Sequence, residues 1–379
     1  MSAIKKPKVA IVCDWLTNMA GAEQVVLAFH HAFPDAPIYT SVYIPEAIPA
    51  LKNADVRTTY LQNAPKLLRS LHKFFPMLRV RAFRKLDLSE YDIILSSSSA
   101  EAKQVRKTRP DQLHICYCHT PIRYYWSHYA EYRENPGFGK LNWLVRLLMP
   151  LLVPRLKRAD FKAAQNIDHF IANSNAVRDR IRRYYKKPAD IIYPPVDTKR
   201  FVPKAKRKPY YVTSGRQIPY KKHALVIEAC NQLELPLKVF GTGSEHENLR
   251  KLAGPTIEFF SQRYGNASDT ALANALGEAK GFIFAADEDF GIVSVEAMAS
   301  GAPVIAYGSG GSRDIVTSRE VGVLFKHQTV EAIIAAIHAS EKTRYSPTIL
   351  RNRAKRFDKV LFVTQIRNYV YNAYERSRI

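Results

Sequence analysis

Two glutamates, Glu288 and Glu296, flank a strand-to-helix junction in the run Asp287-Glu288-Asp289-Phe290-Gly291-Ile292-Val293-Ser294-Val295-Glu296-Ala297-Met298-Ala299-Ser300-Gly301. Upstream, Gly281 to Ala285 is a short apolar stretch of the kind a buried parallel strand shows. Downstream, Val295, Ala297, Met298 and Ala299 followed by Gly301 and Pro303 read as a packed helix with a glycine C-cap and a proline stop. Phe290, Gly291, Ile292 and Val293 open that helix. Its first backbone N–H groups have no intrahelical acceptor there, which suits a phosphate. Glu288, in the preceding loop, is placed to accept hydrogen bonds from sugar hydroxyls, and Glu296, further along the helix, to reach a ribose diol.

A second chemical locus is Thr213-Ser214-Gly215-Arg216-Gln217-Ile218-Pro219-Tyr220-Lys221-Lys222, which follows an apolar strand and precedes a helix starting near His223. The Arg216 guanidinium and Lys221 ammonium can together hold a diphosphate and offset the charge that grows on it as a leaving group. Asp287-Glu288-Asp289 spells the D-x-D of metal-dependent transferases. No His or Cys partner lies near it, and the two cations already fill the role of a metal, so neither a divalent ion nor another cofactor is expected. The aromatic stretch Ile122 to Tyr129 offers Tyr124 and Trp126 as candidate platforms for an acceptor sugar.

The elements that must position these residues alternate along the whole chain. Strand-like runs at Val9 to Cys13, Ile38 to Val42, Tyr91 to Leu95, Leu113 to Cys118 and His169 to Ala172 are followed, after a break, by Tyr210 to Thr213, Leu237 to Phe240, Phe282 to Ala285 and Val304 to Ala306. This is an α/β, doubly wound pattern met twice. Pro194-Pro195 and the polar stretch after it mark a linker. The expected division is an N-terminal Rossmann-like domain over 1–190, a linker over 191–203, a second Rossmann-like domain over 204–355 and a C-terminal helix over 356–379.

The pattern E-x-F-G-x-x-x-x-E-A-M-A-x-G-x-P-V from Glu288 to Val304 resembles that of the retaining glycosyltransferases of family 4, and Gly215 to Lys221 is similar to their G-R-x-x-P-x-K. The resemblance implies the GT-B fold: two Rossmann-like domains facing across a cleft, the first for the acceptor and the second for the nucleotide sugar, with a last helix crossing back. It implies that Arg216 and Lys221 bind the donor diphosphate, together with the backbone from Phe290 to Val293. The turn Met19-Ala20-Gly21-Ala22-Glu23 is similar to the family's G-G-A-E, with Ala20 in place of the first glycine, so only Gly21 carries over as a donor-phosphate contact. His119, in His114-Ile115-Cys116-Tyr117-Cys118-His119-Thr120-Pro121, matches the family histidine at the transferred sugar. The Cys-His-Thr-Pro segment with the aromatics after it looks like that of bacterial mannosyltransferases building lipid-linked polysaccharides, O-antigen among them. The activity so implied is transfer of a hexose, mannose from GDP-mannose, to a lipid-linked or polysaccharide acceptor by a cytoplasmic enzyme peripheral to the inner face of the cell membrane. Another sugar nucleotide or an epimerase of the same fold is the alternative. The base pocket, sought near Ser261 to Tyr264, matches no pattern.

With 379 residues and 46% hydrophobic residues the chain has material for two cores. No stretch is long and apolar enough for a signal or membrane-spanning segment, and the four cysteines read as buried thiols of a reducing compartment. The net charge of +23 is concentrated early: residues 1–200 hold 32 Lys and Arg against 17 Asp and Glu. Lys66, Arg69, Lys73, Arg79, Arg81, Arg84 and Lys85, interleaved with apolar residues, fit an anionic membrane surface or a solvated helix face equally. Nucleic-acid binding is the other partner class that such charge raises, and the sequence holds no helix-turn-helix, zinc-finger or RNP signature for it.

Overall fold

The short apolar runs form strands of two parallel sheets in a computed structural model, which describes residues 6–65, 69, 75–134, 139, 142–260 and 269–378. In the first sheet, β1 (Val9–Cys13), β2 (Ile38–Thr40), β3 (Val56–Thr58), β4 (Ile93–Ser98), β5 (Leu113–Cys118), β6 (His169–Ala172) and β7 (Asp190–Ile191) lie in the order β3-β2-β1-β4-β5-β6-β7. In the second, β8 (Tyr211–Ser214), β9 (Leu237–Phe240), β10 (Ile257–Phe260), β11 (Gly281–Phe284), β12 (Val304–Tyr307) and β13 (Gly322–Phe325) lie in the order β10-β9-β8-β11-β12-β13. The chain winds outward from a central strand in one direction and then returns to build the other side. Each sheet therefore has a switch in winding direction, between β1 and β4 in one and between β8 and β11 in the other, and such a switch opens a crevice at the carboxyl ends of the strands. The doubly wound α/β pattern read from the sequence is thus present twice.

The strands absent from that reading are β3, β7, β10 and β13, the outermost strands of the two sheets. Covered on fewer sides, β3 and β10 need no continuous apolar run: Val56-Arg57-Thr58 and Ile257-Glu258-Phe259-Phe260 are partly exposed throughout. β7 also occupies the start of the expected linker. The chain divides into two compact units, Met1–Ile192 with Val363–Ile379, and Tyr193–Phe362. In the first unit the helix Lys359–Arg376, from Val363 onward, buries Ile366 and Val370. Arg367 Nε donates to Ala32 O at 3.1 Å and Tyr369 Oη to Asp190 Oδ2 at 2.7 Å.

Buried charge organises the first unit. Asp14, just after β1, accepts hydrogen bonds from the backbone N–H groups of Ser99 (2.7 Å), Ala100 (2.9 Å) and Ala102 (2.7 Å), tying the loop after β4 across the switch. Lys103 and Asp160 form an ion pair at 2.9 Å with both side chains fully buried. Tyr185 Oη (2.7 Å) and Trp126 Nε1 (2.8 Å) donate to the same carboxylate. Burial of all four cysteines agrees with inert thiols. Cys116 and Cys118 share one face and one apolar cluster, and burial pushes the Cys116 thiol up to about 12.

The basic segment needs correction. Lys66 and Lys73 lie outside the described residues. Arg79 is 1% exposed: its Nε donates to Glu101 Oε2 at 2.6 Å, and its guanidinium lies 5.5 Å from the Trp15 ring centroid. Arg84 donates to Gln104 Oε1 at 2.8 Å. The sequence pattern counts charges and cannot tell an internal guanidinium from a surface one. Removal of one partner strands the other in the core, so Glu101→Ala should cost about 3 to 5 kcal/mol in unfolding free energy. The check is the urea midpoint, and an unchanged midpoint would show that Arg79 finds other compensation.

Candidate active site

At the switch of the second sheet, the loop after β8 supplies a cation and the loop after β11 a carboxylate. Lys221 Nζ lies 2.5 Å from Glu288 Oε1, with side chains only 12% and 19% exposed. Local rules place Lys221: Pro219 starts a single 3-10 turn ending at Lys221, and Lys222 takes a left-handed conformation (φ 56°) before the helix His223–Gln232. Arg216, on the same loop, is exposed and its guanidinium meets no acceptor among the described residues. Gln217 anchors the loop from below. Its backbone N–H donates to Thr242 O (2.9 Å), its Nε2 to Gly241 O (2.8 Å), and its Oε1 lies 2.5 Å from His246 Nδ1.

The Glu288 loop ends at Gly291, whose φ of 94° caps the helix Ile292–Ala299 and is a conformation that a β-carbon penalises. The N–H groups of Ile292 and Val293 open that helix and have no intrahelical acceptor by position. Phe290 faces the other way. Its ring packs in the core with centroids 5.8 Å from Tyr193 and 5.4 Å from Phe357, leaving only its backbone for a ligand. Glu296 is 8% exposed on the same helix. The loop after β12 supports Glu288 from behind: Gly311 N–H donates to Glu288 O at 2.9 Å, and a β-carbon on Gly310 would overlap that carbonyl. Asp287 Oδ1 is buried and has no hydrogen-bond partner among the described residues. Among those residues, no group of three or more His, Cys, Asp or Glu side chains gathers as a metal site would.

Gln217, which carried no signal, was missed in the sequence, and so were Gly241, Gly243, Gly310 and Gly311, which lie against the backbones of Gly215, Gln217, Glu288 and Phe290. The signal of these four was only glycine at strand ends, which punctuates a loop without saying that another backbone must pass within contact. Ser261 to Tyr264, the segment sought for a base pocket, lies outside the described residues.

In the first unit, His119 caps the carboxyl end of β5, half-buried, with Nε2 2.8 Å from Ser97 Oγ and its ring edge-on to Tyr117 at 5.3 Å. Asn173 Nδ2 donates to its carbonyl at 3.1 Å. Ser97 and Asn173 hold the histidine, and neither carried a sequence signal. Gly21 is the first residue of the helix Gly21–Ala32, after Ala20 in extended conformation. The aromatic candidates are otherwise occupied. Tyr124 Oη donates to Glu101 Oε1 at 3.1 Å, and Trp126 stacks on Tyr184 at 5.2 Å while donating to Asp160. Both therefore serve the buried ion pairs.

His223, beneath the Lys221 loop, is 4% exposed, and burial first, with the Lys221 ammonium second, lowers its pKa to about 4. A lowered histidine pKa means that the unfolded chain binds a proton that the native one refuses. The stabilisation is complete above 6.5 and is lost progressively as pH falls from 6.5 toward 4. His223→Gln should flatten the loss of thermal stability across that window, by an amount on the order of a few kcal/mol at its acid end. Melting curves from neutral to acid pH check it. An equally steep decline in the variant would assign the acid sensitivity elsewhere, His114 being the first alternative because its burial also lowers it to about 4.

The family described as "Glycosyltransferase Family 4" matches residues 19–200, and "Glycosyl transferases group 1" matches residues 196–357. A GDP-mannose-dependent alpha-mannosyltransferase of Mycobacterium tuberculosis (strain CDC 1551 / Oshkosh) is 32% identical over 168 residues, 40% of this chain and 43% of that one. The GtfA subunit of a UDP-N-acetylglucosamine–peptide N-acetylglucosaminyltransferase of Streptococcus pneumoniae serotype 4 is 24% identical over 243 residues, 60% of this chain and 44% of that one. The chain thus spans under half the length of these curated relatives. Among solved structures, Anabaena HepE in complex with UDP-glucose superposes with a TM-score of 0.66 at 18% identity, covering 97% of this chain and 100% of that one. Its likeness bears on the fold. The two family models meet near residue 200 and together run from 19 to 357, so the chain is similar to glycosyltransferases over most of its length, and its two doubly wound parallel sheets have the GT-B architecture.

Proposed function

We propose that this chain transfers a hexose, with retention at the anomeric carbon, from GDP-mannose to a lipid-linked or polysaccharide acceptor at the inner face of the cell membrane. The observation that carries the donor site is the Lys221–Glu288 pair at the switch of the second sheet, beside the opening N–H groups of the helix Ile292–Ala299. A diphosphate brings two or more negative charges to that crevice, and it competes with Glu288 for Lys221. Arg216, exposed and without an acceptor among the described residues, closes on the same phosphates. Glu288 is then released toward the hydroxyls of the sugar. As the bond from the anomeric carbon to the diphosphate oxygen breaks, its electron pair stays on the diphosphate, where both cations and the helix N–H groups meet the growing charge. The acceptor hydroxyl adds from the same face and gives up its proton to the departing phosphate. His119 is assigned to the transferred sugar, and Ser97 on its Nε2 fixes the ring.

GDP-mannose is favoured by the mycobacterial relative, a GDP-mannose-dependent alpha-mannosyltransferase. A UDP-sugar is the second reading, supported by the streptococcal relative and by the UDP-glucose held in HepE. A panel of GDP-mannose, UDP-glucose and UDP-N-acetylglucosamine separates them. The donor should raise the melting temperature and be turned over on an undecaprenyl-type lipid acceptor; stabilisation by UDP-sugars alone would replace mannose.

Two further outcomes test the site. Arg216→Ala and Lys221→Ala should each lower kcat/KM by about 30- to 1,000-fold, the loss of roughly 2 to 4 kcal/mol of transition-state stabilisation. Wild-type values in either variant would remove that residue from the diphosphate. Glu288→Ala should cut turnover while Asp289→Asn changes it little, EDTA should leave the rate largely intact, and NMR should show the donor's anomeric configuration in the product. A strict requirement for Mn²⁺ or Mg²⁺, or an inverted product, would overturn the assigned chemistry.

A further inference from the structure

The helix Asn142–Gln165 in the first unit is apolar on the wrong side. Its inner face buries Val153, Leu156, Asp160 and Ala163. On the opposite face, one turn apart, stand Trp143 (64% exposed), Leu147 (61%) and Leu151 (60%). Continuing the same face toward the C-terminal end, Arg155, Arg158 and Lys162 are exposed. Monomeric proteins rarely leave a contiguous ridge of large apolar side chains in water. Among the described residues no helix is long and apolar enough to cross a membrane, so this one would lie along a surface if it met lipid.

We propose that this outer face docks on an anionic lipid bilayer, with Trp143, Leu147 and Leu151 entering the interface and Arg155, Arg158 and Lys162 meeting the headgroups. Two features favour lipid over a second copy of the chain. An isologous contact would place each basic half-helix against a surface of the same sign in a protein of net charge +23. Moreover, tryptophan at the end of an apolar ridge with Arg and Lys beyond it follows the polarity gradient from acyl chain to headgroup. The placement moves the membrane surface away from the segment around Arg79, whose central cation is internal. It deepens the proposed location of the enzyme without using the transfer chemistry, and vesicle binding needs no sugar nucleotide, so either reading can fail alone.

The test is co-sedimentation of the full chain with phosphatidylcholine vesicles with and without phosphatidylglycerol, at low and high salt. Wild type should bind the anionic vesicles, and salt should weaken that binding. The triple variant Trp143→Ser, Leu147→Ser, Leu151→Ser should bind about tenfold less or weaker, and Arg155→Glu, Arg158→Glu, Lys162→Glu should lose the preference for anionic lipid. Because all six side chains are exposed, both variants should melt as wild type does. Trp143→Phe should still bind, while losing most of the blue shift in tryptophan emission that wild type shows on vesicles. Three results would overturn the proposal: no wild-type binding to either vesicle at low salt, undiminished binding by the serine variant, or a wild-type dimer in size-exclusion chromatography that the serine variant makes monomeric.

Discussion

The charge pair Lys221–Glu288 sets the terms for everything around it at the second sheet's switch, because neither group is exposed enough to rely on water. A partly buried ammonium and carboxylate are tolerable only as long as their geometry is held. That requirement passes to the backbone. Gln217 fixes the loop bearing Lys221 through contacts to Thr242, Gly241 and His246, and Gly311 fixes the carbonyl of Glu288. Where loop meets loop, at Gly241 on Gly215 and at Gly310 on Glu288, the chains pass too closely for any side chain. Glycine serves here as clearance between backbones, and φ is positive as well at Gly241 and Gly310, as it is at the helix cap Gly291.

The first unit answers a like problem with its own residues. Its switch between β1 and β4 is bridged by Asp14, whose carboxylate takes up backbone N–H groups of the loop after β4. These are the kind of donors that would otherwise await an anion. Two sheets of the same winding therefore end in different crevices. In one, the loop N–H groups are taken up by Asp14, while in the other Arg216 stays exposed and the first N–H groups of the helix Ile292–Ala299 have no intrahelical acceptor. On the proposed reading, the donor goes to the second unit because of that difference in local electrostatics.

Legibility followed the same physics. Central strands such as Val9–Cys13 and Leu113–Cys118 are covered on both faces, so their sequences are mostly apolar, His114 being the exception, and their ends were placed to the residue. An edge strand such as Val56–Thr58 carries no such mark and was invisible, whereas Gly322–Phe325 is apolar but short and was passed over. Within the site, charge and spacing picked out Lys221 and Glu288 but assigned them to separate ligands, since sequence cannot show that two loops bring them within 2.5 Å of one another. Tyr124 and Trp126 show a related ambiguity. An aromatic ring with a polar tip looks the same whether that tip meets a sugar or, as here, a buried carboxylate on Glu101 or Asp160.

The pair also limits how a donor can bind. On the proposed reading, a nucleoside-diphosphate sugar gains Lys221 only by displacing Glu288, so part of its binding energy is spent on breaking a contact already made. A free phosphate would incur that loss and leave the carboxylate stranded at a half-closed surface. A complete donor compensates, because its hydroxyls offer Glu288 new hydrogen bonds in the same step. Discrimination thus arises from coupling: the phosphate end frees the group that the sugar end satisfies. A ligand lacking either end meets one unpaired charge, and an unpaired charge in a site this sheltered costs more than the pair itself contributes.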